Sequence, residues 1–552
     1  MMTLSALLVT FSLSCAFLLL FLRSKRQTVG SLRGPPRYSR LFGFELDLLH
    51  QENVGDHEFK WVEEYGPTFR VPDVYGTDTL WVTDPRAIQH ILHTSGYRYA
   101  TPKDVDFDLR GFLGQGLVYS QGAAHQRQRR VLNPAFSLGH LRQFLPVFQH
   151  YTTKLAKRVE DQTMTRPSEP VDMAKLIPKL TLDVIGETGF NYHFGALDDE
   201  ITELSEKLLH VFDDSKMPTK FQVLMKALRR HLPPMVSELT RLFPTKEDLR
   251  FAEFQNTADA IAYNMIKEKN KEQEVDDQAS GTDILDILYH SNNAEDPKKR
   301  ITDQELVSQL STLVLAGHDT TAFSIAWFLY ELAAHPEDQQ KVYEEIKEAR
   351  SRKSTEDFTV SDYESMTHLN AVMKVKHSAL MDRLWLTFIQ EALRLHPIVN
   401  RFTREAGHDD VLPLEFPVTT RNGDVVDNIH IKKGQRIEIA IAPYNRLEAI
   451  WGKDAHEFRP SRFLDIDPKK QTALGPYNNI MSFSAGVKLC IGWRFAIVEM
   501  HAVIVGLLER HQFSLPEGGL SMKRPPGFVM HPIVKGKEEQ GPHLPLLVRP
   551  RV

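Results

Sequence analysis

The stretch ITDQELVSQLSTLVLAGHDTTAFSIAWFLYELAAHP, Ile301 to Pro336, constrains the fold of this 552-residue chain more than any other. Thr302 and Glu305 stand three apart at its start, the spacing of a capping box, and Pro336 closes it. Leu306, Leu310, Leu313, Phe323, Trp327 and Leu332 keep helical apolar spacing between those ends, so a buried helix of about nine turns is predicted. Such a helix has to run through the centre of a mainly helical molecule. Its middle breaks the pattern, because Gly317, His318, Asp319, Thr320 and Thr321 put a weak helix former and four polar groups where apolar packing is expected. Two readings are open. The threonines bond back to carbonyls one turn earlier, or the helix widens beside a ligand, where Asp319 and Thr320 hold water and pass protons.

The chain has two cysteines, Cys15 and Cys490. Cys15 lies in TLSALLVTFSLSCAFLLLFL, Thr3 to Leu22, twenty residues without a charge. At about 1.5 Å per residue a helix of that length spans roughly 30 Å, the hydrocarbon core of a bilayer. No basic start or small-residue cleavage site marks a removable signal peptide, so residues 1–22 are read as a retained anchor. Arg23, Lys25, Arg26, Arg33, Arg37 and Arg40 follow it, which by the positive-inside rule leaves the rest of the chain in the cytosol. In that reducing compartment a disulfide between Cys15 and Cys490 is not expected. The RGPPRYS segment stiffens a basic tether over 23–45, and no further linker divides the single domain expected over 46–552. A net charge of −5 gives no support for nucleic-acid binding.

Cys490 sits in FSAGVKLCIGWRF, just ahead of a helical run in which Phe495, Val498, Ala502 and Val505 recur. A helix N-terminus favours thiolate over thiol, and Lys488 adds positive charge. Gly486 and Gly492 let the backbone close around the sulfur and against a flat partner. A nucleophile would want a base, yet His501 lies eleven residues on and faces elsewhere. Zinc would want more thiols or a histidine pair, which the sequence around it lacks. A single thiolate among glycines suits a metal whose other ligands come from a macrocycle, namely haem iron; inert buried filler is the alternative.

These motifs resemble those of the cytochromes P-450. FSAGVKLCIG is similar to that family's Phe-x-x-Gly-x-Arg-x-Cys-x-Gly signature, with Lys488 in place of the usual arginine. AGHDTT resembles its oxygen-activating segment, EALRLHP its Glu-x-x-Arg motif (Glu391 and Arg394), and FRPSRF the segment supplying Arg462. HQRQRRVLNPAF looks like the helix over the haem propionates, with His125 where tryptophan is usual, and TLDVIGETGFNYHFG is familiar from fungal, membrane-anchored members.

The resemblance implies an α+β fold, mainly α with small β-sheets, and haem b (iron protoporphyrin IX) bound through Cys490. Arg129, Arg404, His125 and Lys488 are the expected propionate partners, with Phe483, Gly486, Gly492 and Ala316 against the ring. Asp319 and Thr320 are the expected proton-delivering pair, and Glu391, Arg394 and Arg462 a buried brace. It further implies a monooxygenase of secondary metabolism, held in the endoplasmic reticulum membrane by a single span. Electrons would come from NADPH through cytochrome P-450 reductase, with cytochrome b5 as a second donor, and the substrate would be an apolar small molecule. In the access region 102–120, Phe107, Phe112, Leu113 and Val118 are the expected substrate contacts. A haem-thiolate isomerase or dehydratase is the competing reading.

One segment departs from the family. LNAVMK is expected to run directly into EALRLHP, but sixteen residues, Val375 to Gln390, stand between them. A valine codon begins GT and a glutamine codon can end AG, so the insertion has the marks of an intron translated in frame. Sixteen residues rotate a helix by roughly 160° beyond whole turns, which puts the displaced LNAVMK out of phase with Glu391. WLTFIQ can take its place with apolar residues at similar positions; otherwise the product is a non-catalytic chain impaired by the insertion.

Overall fold

A computed structural model describes residues 29–551 except 213–217, 231, 233, 243, 276–282, 293–299, 353–356, 366–383, 466–473 and 478. The helices that build the site are, in chain order, α1 (Glu45–His50), α2 (Lys103–Leu113), α3 (Gly122–Leu132), α4 (Leu138–Thr165) and α5 (Met173–Phe190). They are followed by α6 (Lys220–Arg229), α7 (Lys246–Val275), α8 (Asp303–Ala334), α9 (Leu384–Leu395) and α10 (Trp493–Arg510). The strands are β1 (Thr68–Pro72), β2 (Asp78–Val82), β3 (Tyr99–Ala100), β4 (Arg401–Ala406), β5 (Asp410–Thr419), β6 (Val425–Ile431) and β7 (Arg436–Ala440).

The central helix forms where its caps place it. The Thr302 hydroxyl accepts from the Glu305 N–H at 3.2 Å, and the Glu305 carboxylate accepts from the Thr302 N–H at 2.8 Å. Helix α8 is α-helical throughout, so of the two readings of Gly317–Thr321 the widened turn is not the one it adopts. Gly317 has a packing reason instead: a Cβ there would fall 2.9 Å from Ile185 Cδ1, where α5 crosses α8. Helix α5 is itself buried on most sides, and α4 packs on α10, so one continuous apolar core surrounds α8.

A five-stranded sheet in the order β1-β2-β7-β4-β3 flanks this helical body, and β5 and β6 form a hairpin. Only β2 and β7 run parallel, with Trp81 opposite Glu438; β4 lies antiparallel to β7, with Thr403 opposite Glu438. Alternation along the strands therefore puts Leu80, Val82, Ile437 and Ile439 in one apolar cluster, while Phe69, Trp81 and Ala440 join Leu48 of α1 on the other face. The expected mainly helical fold with small sheets is what the chain adopts.

Helix α9 begins at Leu384, inside the sixteen-residue insertion. Thr387, Phe388, Ile389 and Gln390 are buried there, so the WLTFIQ segment does supply the leading turns of the helix that carries Glu391. The displaced LNAVMK copy and the apolar run Thr3–Leu22 lie outside the described residues. Among the described residues no helix is long and apolar enough to cross a membrane.

Candidate active site

The cysteine loop is shaped by close backbone approaches. The Cys490 N–H donates to Phe483 O at 3.0 Å. Gly486 has φ +64°, and a Cβ there would fall 1.9 Å from Leu92 O, so only glycine fits. Gly492 is different: its φ is −88°, and a Cβ would make only an ordinary 3.7 Å contact with Phe136. The protein's own packing therefore leaves room at Gly492, where the backbone borders a cavity of about 640 Å³ shared by Cys490, Phe483 and Ala316.

Cys490 presents its surface to that cavity rather than to bulk water. Burial pushes its thiol above the ordinary value, against the opposing pull of the Gly492 N–H and of Arg129. Burial thus works against the thiolate that the Gly492 N–H and Arg129 favour, and a metal cation at the sulfur would draw off the proton.

Beside the sulfur lies a cluster of cations. Arg129 donates to Leu489 O, Lys488 donates to Ser120 O, and Arg404 donates to Thr403 O at 2.9 Å with its guanidinium over the Phe402 ring. No carboxylate among the described residues forms an ion pair with any of the three. Burial and mutual repulsion lower Lys488 to about 7, and burial lowers Arg404 to about 10. His125, buried beside them, is lowered to about 3 and stays neutral, its Nδ1 within 2.6 Å of the Tyr97 hydroxyl. Half-buried cations around a glycine-bordered cavity, none in an ion pair among the described residues, fit a flat group carrying two carboxylates, as haem does. The four expected propionate partners are thus brought to one cavity. Tyr97, which fixes the His125 ring, was not foreseen, since nothing local to it signals the contact.

Helix α8 closes the opposite side. Ala316, Gly317, Thr320 and Thr321 line the cavity, and the Thr320 hydroxyl donates to Ala316 O at 2.6 Å. The back-bonding reading therefore holds for Thr320 in this structure. Asp319 sits at the helix edge with its carboxylate 3.1 Å from His318 Nδ1. Glu499 is a further group that sequence reasoning missed. It is fully buried on α10 beside Thr321, and burial pushes its carboxyl well above the usual range. A lone acid in the apolar run AIVEMHAVIV was the available signal.

Glu391, Arg394 and Arg462 form one buried network, as expected. Arg394 grips both Glu391 oxygens at 2.7 and 2.8 Å, and Arg462 Nε reaches Glu391 Oε1 at 2.9 Å. Arg394 Nη1 also donates to Asn445 O at 2.7 Å. The Asn445 side chain in turn bonds Met481 N at 3.0 Å and Ser482 Oγ at 3.1 Å, immediately before the cysteine loop. The ion cluster thus holds the loop's base through Asn445.

Of the expected substrate contacts, Leu113 and Val118 line the cavity. Phe107 and Phe112 do not. Phe107 lies between the guanidinium groups of Arg229 and Arg241, at 4.2 and 4.6 Å, and Phe112 packs on Phe251 and Phe528. Helical phase accounts for Phe107, since α2 turns Val105, Leu109 and Leu113 inward and Phe107 falls on its other side; Phe112 is covered by Phe251 and Phe528 instead.

A family model described as Cytochrome P450 matches residues 33–535. Similar proteins include Cytochrome P450 monooxygenase 205 of Postia placenta, 31% identical over 533 residues, which cover 94% of this chain and 92% of that protein. Cytochrome P450 monooxygenase claQ of Ampulloclitocybe clavipes is 31% identical, over 95% of this chain and 94% of its own. Ganoderic acid synthetase CYP5150L8 of Ganoderma lucidum is 31% identical over 511 residues, 89% of each chain.

Proposed function

Since this chain belongs to the cytochrome P450 family, as a haem-dependent monooxygenase, we propose that Cys490 ligates the haem iron and that the cavity holds an apolar substrate against it. Haem bound in this way supplies dioxygen binding and activation, with electrons from NADPH through a reductase. Cys490 would hold the iron through its sulfur and lend it electron density. Arg129, Arg404 and Lys488 would neutralise the two propionates, and the His125 ring nitrogen not bonded to Tyr97 would donate to one of them. Asp319 collects protons at the wet edge of α8, and Thr320 Oγ1 passes them into the cavity by exchanging its bond to Ala316 O for one to a water. Leu113, Leu117, Leu313 and Val399 exclude bulk water from that transfer. The observation that carries this reading is the set of unpaired cations around the Cys490 cavity.

The anchor over residues 1–22 places the cavity at the cytosolic face of the endoplasmic reticulum, where cytochrome P-450 reductase and cytochrome b5 are its electron donors. The relatives' printed names support a place in secondary metabolism. Turnover in heavy-isotope dioxygen tests the reaction. One labelled oxygen in the product, dependent on NADPH and reductase, is the expected result. Peroxide rearrangement without reductase would instead establish the isomerase reading.

A further inference from the structure

The cavity has a polar wall away from Cys490. Strand alternation turns Phe402 and Arg404 of β4 towards the cation cluster and Arg401 and Thr403 towards the opposite face of the sheet. The cavity reaches both sides by bending around the start of β4 at Ile398, Val399 and Asn400. On the second side the Thr403 hydroxyl donates to Glu438 Oε2 at 2.8 Å. Arg401 Nε stands 3.7 Å from Glu438 Oε1, beyond hydrogen-bond range, with its guanidinium 5.6 Å over the Trp81 ring. Among the described residues no acceptor takes the Nη hydrogens of Arg401. Spare donors thus stand beside a carboxylate with one oxygen to offer.

The neighbouring charges are already matched. Arg230 binds Asp73 and Asp104, each at 2.7 Å, and Arg436 binds Asp104 at 3.1 Å. Arg230, Arg401 and Arg436 therefore balance Asp73, Asp104 and Glu438, and the further charged groups that act on Arg401, Glu45 and Glu58, are negative. A carboxylate brought here would add an uncompensated buried charge, and a hydrocarbon end would strip water from Arg401 without replacing its bonds. An ammonium carries donors alone and would leave the Nη hydrogens of Arg401 without an acceptor.

We propose that this wall recognises a neutral hydroxyl at the far end of an elongated, otherwise apolar substrate. The hydroxyl oxygen accepts from Arg401 Nη, and its hydrogen is donated to Glu438 Oε1. The inference rests on the monooxygenase reading for the identity of the reacting end, and names the substrate class as long neutral alcohols.

The test uses the full chain in lipid nanodiscs with dodecanol, dodecanoate, dodecylamine and dodecane, corrected for partitioning. Binding is read both by thermal shift and by the haem difference spectrum. Dodecanol is expected to bind at least tenfold more tightly than each of the others, and Glu438→Gln to move the alcohol-to-acid preference at least tenfold towards the acid. Equal or tighter binding of any other probe by the parent overturns the proposal, as does an unchanged preference in a folded E438Q protein. If E438Q does not fold, the parent's ranking decides alone. A chain without a haem spectrum whose thermal shifts still rank dodecanol first would sink the monooxygenase reading and leave the hydroxyl wall standing; a normal haem spectrum with a flat ranking would do the reverse.

Discussion

Arg404 illustrates how single residues in this chain are selected by what they lack. It is half-buried at the cavity wall, stacked on Phe402 and without an ion-pair partner among the described residues, an arrangement that an anion in the cavity would relieve. Arg404→Gln is therefore expected to lower haem occupancy several-fold, read as the ratio of haem to protein absorbance; full occupancy would place the propionates elsewhere. His396 offers a pH test away from the haem. It stacks on Trp327 with ring centroids 4.3 Å apart, has Nε2 2.6 Å from Glu331, and burial lowers it from the ordinary 6.5 to about 4. Between those values the unfolded chain carries a proton that the folded chain refuses, so stability falls as pH drops through that window. Glu331, also lowered, loses its contribution in the same acid direction. The loss should be on the order of 3 kcal/mol at the acid end, and His396→Gln should flatten the slope in chemical denaturation between pH 6.5 and 4. An unchanged slope would contradict it. Cys490 was legible because a lone thiol among glycines leaves few chemical options. Tyr97 and Glu499 were not, because their partners His125 and Thr321 come from other elements and only packing brings them together.

Helices were legible where their signals are local. The capping box at Thr302 and the stop before Pro336 set the ends of α8, whereas the continuity of its middle depends on Ile185 of another helix filling the space over Gly317. Sequence spacing carries no record of that crossing. Helix α9 has the same character: Glu391 and Arg394 stand one turn apart, but their anchorage to Asn445 and Arg462 is tertiary. Glu391→Gln leaves buried Arg394 without its carboxylate and Arg462 with Asp454 alone, and a loss of about 3–5 kcal/mol is expected, with haem loss on heating. A variant that keeps the parent's melting temperature and haem would show that the cysteine loop needs no brace. The insertion belongs to this scale too. Residues 375–390 deleted as a block would rejoin LNAVMK to Glu391 in the family's phase, and the shortened chain is expected to melt higher and hold haem more fully than the chain as written. Equal or lower stability of the deletion would show that WLTFIQ is the native start of α9. Mature transcripts that keep these codons under every growth condition would defeat the intron reading.

For the whole molecule, the class was readable from the order of motifs between Leu306 and Arg510, while the bent cavity and its polar wall arise only when β4 and β7 pair and α1 covers them. The anchor proposed over residues 1–22 would act on location alone. A chain beginning at residue 29 is expected to leave the membrane fraction more readily than the full chain while keeping its haem spectrum; co-sedimentation of both to the same extent would remove residues 1–22 as the membrane determinant. Everything else in the account depends on sulfur–iron ligation at Cys490. The most direct measurement is the reduced, carbon monoxide-saturated absorption spectrum of the parent beside that of Cys490→Ser. The account predicts the long-wavelength Soret band of a thiolate-ligated haem in the parent, and its loss or displacement to shorter wavelength in the variant. A parent without porphyrin, or a variant whose band is unaltered, would contradict it.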